Sequence, residues 1–242
     1  MKKISIIIPV YNEENYIQSV IETVIRAKIE SFYKEIIVVD DGSTDRTTLI
    51  LKNFQRKHNK KNSTNNLKMF FCQKNQGKGS ALKKGMRYST GNIIITQDAD
   101  LEYDPNEYNK LLKPFNKDDV TVVFGSRTLG RVKYHNSYSS LLFYIGGQIL
   151  TYFVNILYGT KLTDQPTGYK LFRSSLIPLL LNIKNENGFA FEVAMTAILV
   201  KNKNKIIEVP ITYKPRQIKE GKKINFTDFI KSVYTAIKYK FD

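Results

Sequence analysis

Apolar runs that stop abruptly at polar clusters alternate along this chain with stretches of helical period, and that alternation constrains the fold more than any other feature. "ISIIIPVYN" gives way to "EENYIQSVIETVIRAK", where Ile17, Val20, Ile21, Val24 and Ile25 recur at helical spacing. "EIIVVDDGS" follows, with Ser43 or Thr44 placed to cap a helix running to about Lys57. "LKMFFCQ" reads as a third strand, "GSALKKGMRYS" as a helix, "NIIITQ" as a fourth strand and "VTVVFGSR" as a fifth. Strands separated by helices imply βαβ units and a mostly parallel sheet flanked by helices. Beyond Arg127 the pattern turns helical, with one late strand, "KIIEVPITY", and a final basic amphipathic helix, "FTDFIKSVYTAIKYKF". "RKHNKKNSTNN", which contains His58, reads as an exposed loop.

In open α/β sheets ligands bind outside the carboxyl ends of the strands. Three strands here end in Tyr11-Asn12-Glu13, Asp40-Asp41-Gly42-Ser43 and Gln97-Asp98-Ala99-Asp100. Any one of these could be a helix cap or a turn, because Asp and Ser favour both. Asp104-Pro105 also begins a helix. Three such ends converging on one edge point to a site. Asp98 and Asp100 are two apart, so an extended backbone turns both side chains the same way. Unpaired, they raise each other's pKa, and a hard divalent cation removes the conflict. Mg²⁺ or Mn²⁺ takes one or two protein carboxylates and completes its shell with water and phosphate oxygens, which implies a diphosphate ligand. "NQGKGSALKKG" places two glycines around Lys78 ahead of a helix, a phosphate cradle in composition. It lacks the spacing of a P-loop, and no G-x-G-x-x-G follows the first strand, so ATPase and dinucleotide-oxidoreductase readings are weak.

Lys and Arg number 38 against 22 Asp and Glu, a formal net charge of +16 over 242 residues. That balance suits a polyanionic partner: nucleic acid, an anionic membrane surface or a phosphorylated ligand. No nucleic-acid recognition motif accompanies the scattered basic residues. Cys72, the only cysteine, allows neither a disulfide framework nor a Cys-based zinc site. The basic start is followed by too short an apolar run for a signal peptide, so a first strand and a cytoplasmic location are expected. Residues 136–160 carry no charge and are mostly apolar, but Gly146, Gly147, Gln148 and Asn155 interrupt them. Two shorter helices at a membrane interface suit that composition better than one span. Helices packed into the core or against a second subunit are the rival expectation. Neither an internal repeat nor a low-complexity linker divides the chain.

Taken together, "SIIIPVYNEE", "EIIVVDDGSTD", "NQGKGSALKKG", "TQDADLEYDP", "FGSRTLG", "TDQPTGYKLFR" and "EVPITYKPRQIKEGKK" resemble the family 2 glycosyltransferases of GT-A fold. The dolichyl- or polyprenyl-phosphate sugar transferases, the mannosyl type above all, are the most similar. The resemblance implies a single glycosyltransferase domain over 1–242, with a Rossmann-like sheet and a C-terminal helical elaboration. Residues 1–130 would bind the nucleotide sugar, and 131–242 would bind the acceptor and face a membrane. Pro9, Tyr11, Glu13 and Asp40 would hold base and ribose, with Lys78 and Gln97 joining them around the nucleotide sugar. Asp98 and Asp100 would ligate Mg²⁺ or Mn²⁺, and Arg127, Arg131 and Arg216 would meet phosphate groups of donor and acceptor. Asp98, Asp100, Arg127 and Arg131 would thus carry catalysis.

The implied reaction is an inverting transfer of a hexose, mannose first and glucose second, from GDP-mannose or UDP-glucose to a polyprenyl phosphate. Such an acceptor is largely ionised near neutral pH and needs positioning by cations more than a base. A saccharide or protein hydroxyl, the alternative acceptor, would need one, and Glu192 is the candidate. A catalytically silent nucleotide-sugar binder or a nucleic-acid module are remoter alternatives. The expected setting is peripheral, on the cytoplasmic face of a membrane.

Overall fold

The first strand, β1 (Lys2–Val10), is uncharged from Ile4 onward because it runs through the middle of the sheet with helices on both faces. The computed structural model describes residues 2–60, 66–137, 140–216 and 226–241, and only the backbone of 59 and 60. Ile4, Ile6 and Ile8 enter one core, while Ile7 faces the other. The next strand, β2 (Phe32–Asp40), splits the same way, Ile36 and Val38 against Ile37 and Val39. With β3 (Asn66–Phe71), β4 (Ile93–Thr96), β5 (Val122–Ser126), β6 (Lys170–Arg173) and β7 (Ile206–Pro210) they form a seven-stranded sheet ordered β3-β2-β1-β4-β6-β5-β7. Every pairing is parallel except those of β6, which runs antiparallel to β4 and β5. This is the expected mostly parallel sheet.

Helix α1 (Ile17–Arg26) lays Ile17, Val20, Ile21 and Val24 on one face of the sheet. Helix α2 (Thr47–Lys60) adds Leu51, and α4 (Tyr108–Leu112) adds Leu111 and Leu112. The opposite face is covered by α3 (Lys78–Tyr88), the short α7 (Ile177–Leu181) and α8 (Ala190–Lys201). Gly85 lets α3 lie directly on β1, since a Cβ there would stand 2.4 Å from Ile7 Cγ2. Helix α8 is apolar nearly all round because it is buried twice. Its inner face meets the sheet, and Val193 meets an outer layer formed by α6 (Leu141–Tyr158) and α9 (Phe226–Phe241). The remaining helix, α5 (Arg127–Tyr134), leaves the end of β5.

Four local expectations change. Helix α2 continues to Lys60, so half of the expected 56–66 loop is helical; 61–65 lie outside the described residues. Asp45, not Ser43 or Thr44, accepts the Thr47 N–H at its start (2.9 Å). Strand β6 was not legible: it is four residues long and opens with a lysine, Lys170, that is fully buried. Residues 141–158 form one helix and not two. The Gly146-Gly147 pair costs about 1 kcal/mol per residue relative to alanine but removes no backbone hydrogen bond, so the helix continues. It ends at Gly159, whose φ of 65° closes it. By length and composition α6 could cross a membrane. Leu150, Thr151 and Val154, however, are buried in the outer layer of the domain.

The amino ends of the central strands are fixed by Glu35, whose side chain is buried. It accepts hydrogen bonds from Ser5 Oγ, Thr90 N (2.8 Å), Thr90 Oγ1 (2.9 Å) and Lys68 Nζ (2.7 Å), and Lys3 Nζ lies at 3.3 Å. Burial raises the carboxyl pKa, but the bonds from Lys68, Ser5 and Thr90 outweigh it and hold the group at about 2. An acid depressed in the folded state contributes stability above its ordinary pKa, and that contribution is lost as pH falls through the folded value. Glu35→Ala should therefore cost about 3 kcal/mol near neutrality. Urea denaturation followed from pH 5 to pH 2 should show a decline in the wild type that is largely missing in the variant.

Candidate active site

The sheet order reverses between β1 and β4, and the polar ends of β1, β2 and β4 open into the crevice at that switch point. Asn12, with φ 50°, turns the chain out of β1; its N–H donates to Ser43 Oγ (2.9 Å), and its Oδ1 accepts from Thr44 N (2.8 Å). Asp40 is buried and organises its own turn, accepting from Ser43 N (3.0 Å) and Thr48 Oγ1 (2.5 Å). Asp41 accepts from Gln76 N (3.0 Å) and Gly77 N (2.6 Å) through Oδ2, strapping the segment before α3 to the end of β2. Gly77 is required there: its φ is 101°, and a Cβ would stand 2.5 Å from the Asn187 carbonyl oxygen. Lys78 is the next residue, so its backbone is held on both sides. Pro9 is buried within β1, and Tyr11 is half-buried at its end.

Gln97 lies beneath the site. It is fully buried, accepts from Tyr108 OH (2.6 Å) and Tyr169 OH (2.8 Å), and donates to the Asp98 carbonyl (3.1 Å). It braces the backbone of Asp98 and has no surface for the nucleotide contact expected of it. Asp98 and Asp100 each meet a different cation. Lys78 Nζ is 2.6 Å from Asp98, and Arg216 Nη2 is 3.0 Å from Asp100. Arg216 also spans to Glu13 (2.9 Å) and lies over the Tyr16 ring (5.2 Å), while its N–H donates to Glu102 (2.7 Å). Arg216, expected at a phosphate group, is thus held among Glu13, Asp100 and Glu102, with Nε buried and unpartnered among the described residues.

These groups fit a divalent cation. Burial, then the charges of Asp98 and Glu102, raise the Asp100 carboxyl against the pull of Arg216. Five carboxylates (Glu13, Asp98, Asp100, Glu102, Glu192) face three cations (Lys78, Lys170, Arg216), a formal shortfall of two positive charges. No cluster of three potential ligands exists among the described residues. A two-carboxylate oxygen site that leaves most positions to water and phosphate suits Mg²⁺ or Mn²⁺ and not zinc.

Other expected residues sit differently. Arg127 is clamped by Asp164, which accepts from Nε (2.8 Å), Nη2 (2.7 Å) and the Arg127 N–H (2.8 Å). Glu208 of β7 fixes that partner by accepting from Thr163 N (2.7 Å) and Asp164 N (3.0 Å). A phosphate at Arg127 would have to share it with Asp164. Arg131 is exposed and stacks over the Tyr144 ring of α6 (5.0 Å). Glu192, the candidate base, lies between Lys78 (3.1 Å) and Lys170 (3.9 Å). Asp164, Lys170 and Gly168 were not singled out from sequence, although all lie in "TDQPTGYK". Gly168 abuts the carboxylate so closely that a Cβ would stand 2.1 Å from Asp98 Oδ2.

The sequence profile of Glycosyl transferase family 2 matches residues 5–179. The chain belongs to this family. A dolichyl-phosphate beta-glucosyltransferase of Trichomonas vaginalis is 27% identical over 97% of this chain and 72% of its own length. A dolichol-phosphate mannosyltransferase of Pyrococcus furiosus is also 27% identical, over 98% of this chain and 64% of its own. A UDP-N-acetylglucosamine–dolichyl-phosphate N-acetylglucosaminyltransferase of Methanococcus voltae is 32% identical over 87% and 85%. Among solved structures, glucosyl-3-phosphoglycerate synthase of Mycobacterium tuberculosis with Mn²⁺, UDP and phosphoglyceric acid superposes with a TM-score of 0.71. That match, at 16% identity, covers 99% of this chain and 78% of the synthase. This likeness is one of fold, GT-A, and the chain is a glycosyltransferase.

Asp98→Asn and Asp100→Asn should each lower transfer about a hundredfold or more and weaken Mn²⁺-dependent binding of a nucleoside diphosphate. Circular dichroism should remain that of the wild type. Wild-type transfer undiminished by EDTA would refute the metal assignment.

Proposed function

We propose that this glycosyltransferase moves a hexose, mannose or glucose, from a nucleoside diphosphate sugar to a polyprenyl phosphate at a membrane surface, with inversion. The observation that carries this reading is the seat of Arg131. Its guanidinium, at the end of the cleft-side helix α5, lies over Tyr144 in the first turn of α6, where an exposed apolar stripe begins. Leu141, Ile145, Ile149, Tyr152 and Ile156 are exposed along α6, and Ile230, Tyr234, Ile237 and Phe241 along its packing partner α9. An anion-binding side chain at the head of lipid-compatible helices meets both halves of a phosphorylated polyprenol. The acceptors for which the relatives are named agree with it.

Asp98 and Asp100 would hold Mg²⁺ or Mn²⁺, which stabilises the charge of the departing nucleoside diphosphate. Lys78 would meet that diphosphate, and Glu13, Tyr11 and Asp40 would border base and ribose. Arg131 would bind the acceptor phosphate, with Arg127 held behind it by Asp164 as a brace. An acceptor phosphate attacks as an anion, so no base is required. A hydroxyl acceptor would need one, and the two lysines on Glu192 disfavour that alternative.

The domain would dock on the membrane by the α6 and α9 stripes without spanning it. The inner face of α6 is occupied by α8 and α9, and Gln148 and Asn155 hydrogen-bond the 160–163 segment and its neighbours. Lys231 and Lys240 are exposed on α9, whereas Lys238 is paired with Glu186 (3.3 Å). Each basic residue near an anionic surface adds about 1 kcal/mol.

Arg131→Ala should lower kcat/KM for polyprenyl phosphate by about 2 kcal/mol, roughly thirtyfold, with the donor Kd nearly unchanged. Equal losses for donor and acceptor would remove the acceptor assignment. In vesicle flotation, binding should rise with anionic lipid and fall with added salt. Failure to bind either neutral or anionic vesicles would remove the docking surface, and a protease-protected 141–158 fragment would mean that the helix spans.

A further inference from the structure

Lys78 is held more firmly than a flexible loop lysine in a Gly-rich sequence would be. Its backbone follows Gly77, which cannot bear a side chain and whose N–H is bound by Asp41. Its ammonium is clamped between Asp98 at 2.6 Å and Glu192 at 3.1 Å and lies 5.8 Å from the centre of the Phe189 ring. Glu192 rides in the first turn of α8, a helix buried almost all round, so it cannot follow a moving partner. Lys170, fully buried and donating to the carbonyls of Gln165 (3.1 Å) and Thr167 (2.5 Å), stands behind Glu192 at 3.9 Å. The carboxylate therefore has a fixed cation on one side and Lys78 on the other.

We propose that Lys78 is a built-in counter-ion of Asp98 that makes the site take metal and nucleoside diphosphate together and resist metal alone. Glu192 is the positioning residue that keeps the ammonium in place when Asp98 turns to the metal. The inference rests on the assignment of Asp98 and Asp100 as metal ligands. A divalent ion arriving by itself must take Asp98 from an ammonium in direct contact with it and Asp100 from Arg216 at 3.0 Å. It leaves those cations beside a new like charge. When a diphosphate arrives with the ion, its anionic oxygens supply the partner that Lys78 loses, so the two ligands bind with positive coupling. Glu192 keeps Lys78 at the cleft wall throughout. This gives the carboxylate a role through Lys78 that needs no proton transfer.

Mn²⁺ binding to the full chain, read from the electron paramagnetic resonance signal of free Mn²⁺, tests this without any acceptor. Wild-type protein should bind Mn²⁺ at least tenfold more tightly with GDP or UDP present than without. Lys78→Met should bind Mn²⁺ alone more tightly than wild type and lose most of that coupling. Glu192→Gln should weaken GDP or UDP binding in Mn²⁺ about tenfold in the wild-type background and not further in the Lys78→Met background. Equal Mn²⁺ affinity with and without diphosphate in the wild type would overturn the proposal, and that measurement needs no variant to fold. Coupling that survives Lys78→Met would overturn it too. A further loss of GDP or UDP binding from Glu192→Gln in the Lys78→Met background would overturn its positioning role. No Mn²⁺ binding with either diphosphate would overturn the metal assignment itself, and this proposal with it.

Discussion

Carboxylates gathered at the ends of buried strands repel one another, and the neighbourhood of this cleft is organised around that repulsion. Asp98 and Asp100 follow an uncharged strand, burial penalises the charge of Asp100, and each carboxylate meets a cation within contact distance. The cations come from distant parts of the chain. Lys78 arrives because Asp41 and Gly77 strap the start of α3 to the end of β2. Arg216 arrives because the segment after β7 returns across Glu102 and Glu13. Lys170 arrives because β6 runs backwards between β4 and β5.

That antiparallel strand does more than fill the sheet. It delivers the 164–168 turn to the cleft wall, placing Gly168 against Asp98 and Asp164 against Arg127. A side chain at 168 would displace the carboxylate, so Asp98 and Arg127 are tied through one short turn. Glu208 reaches into that turn from β7 and holds its backbone, linking the edge strand to the Asp164 clamp on Arg127 at the end of neighbouring β5. A glycosyltransferase that must keep water from a reactive sugar gains from such rigid walls.

The outer helices follow a different logic. Helix α8 buries both of its faces, which leaves α6 and α9 as a second layer with one face on α8 and one turned out. Large apolar residues are turned outward along both, beside exposed Lys231 and Lys240 on α9, although the chain as a whole is strongly basic. In the reading proposed here the charge belongs to phosphate and anionic lipid and the apolar stripes to the lipid chain, so the two features serve one acceptor.

The sequence by itself determined the parallel sheet, the strand ends that form the cleft and the placing of Asp98 and Asp100 together at one of them. Each rests on local periodicity or on residues adjacent in the chain. Only the tertiary structure decided which charge meets which. Gln97 looked like part of the site by adjacency, but the pleat turned it down to Tyr108 and Tyr169. Arg127 and Arg216 looked alike as phosphate ligands; packing gave one to Asp164 and the other to Glu13 and Asp100. Strand β6 and buried Lys170 were illegible because four residues hold no period, and a lysine signals the interior only once Glu192 and two carbonyls surround it. Long-range ion pairs join residues whose spacing in the chain carries no pattern, so the fold had to bring them together before their roles could be read.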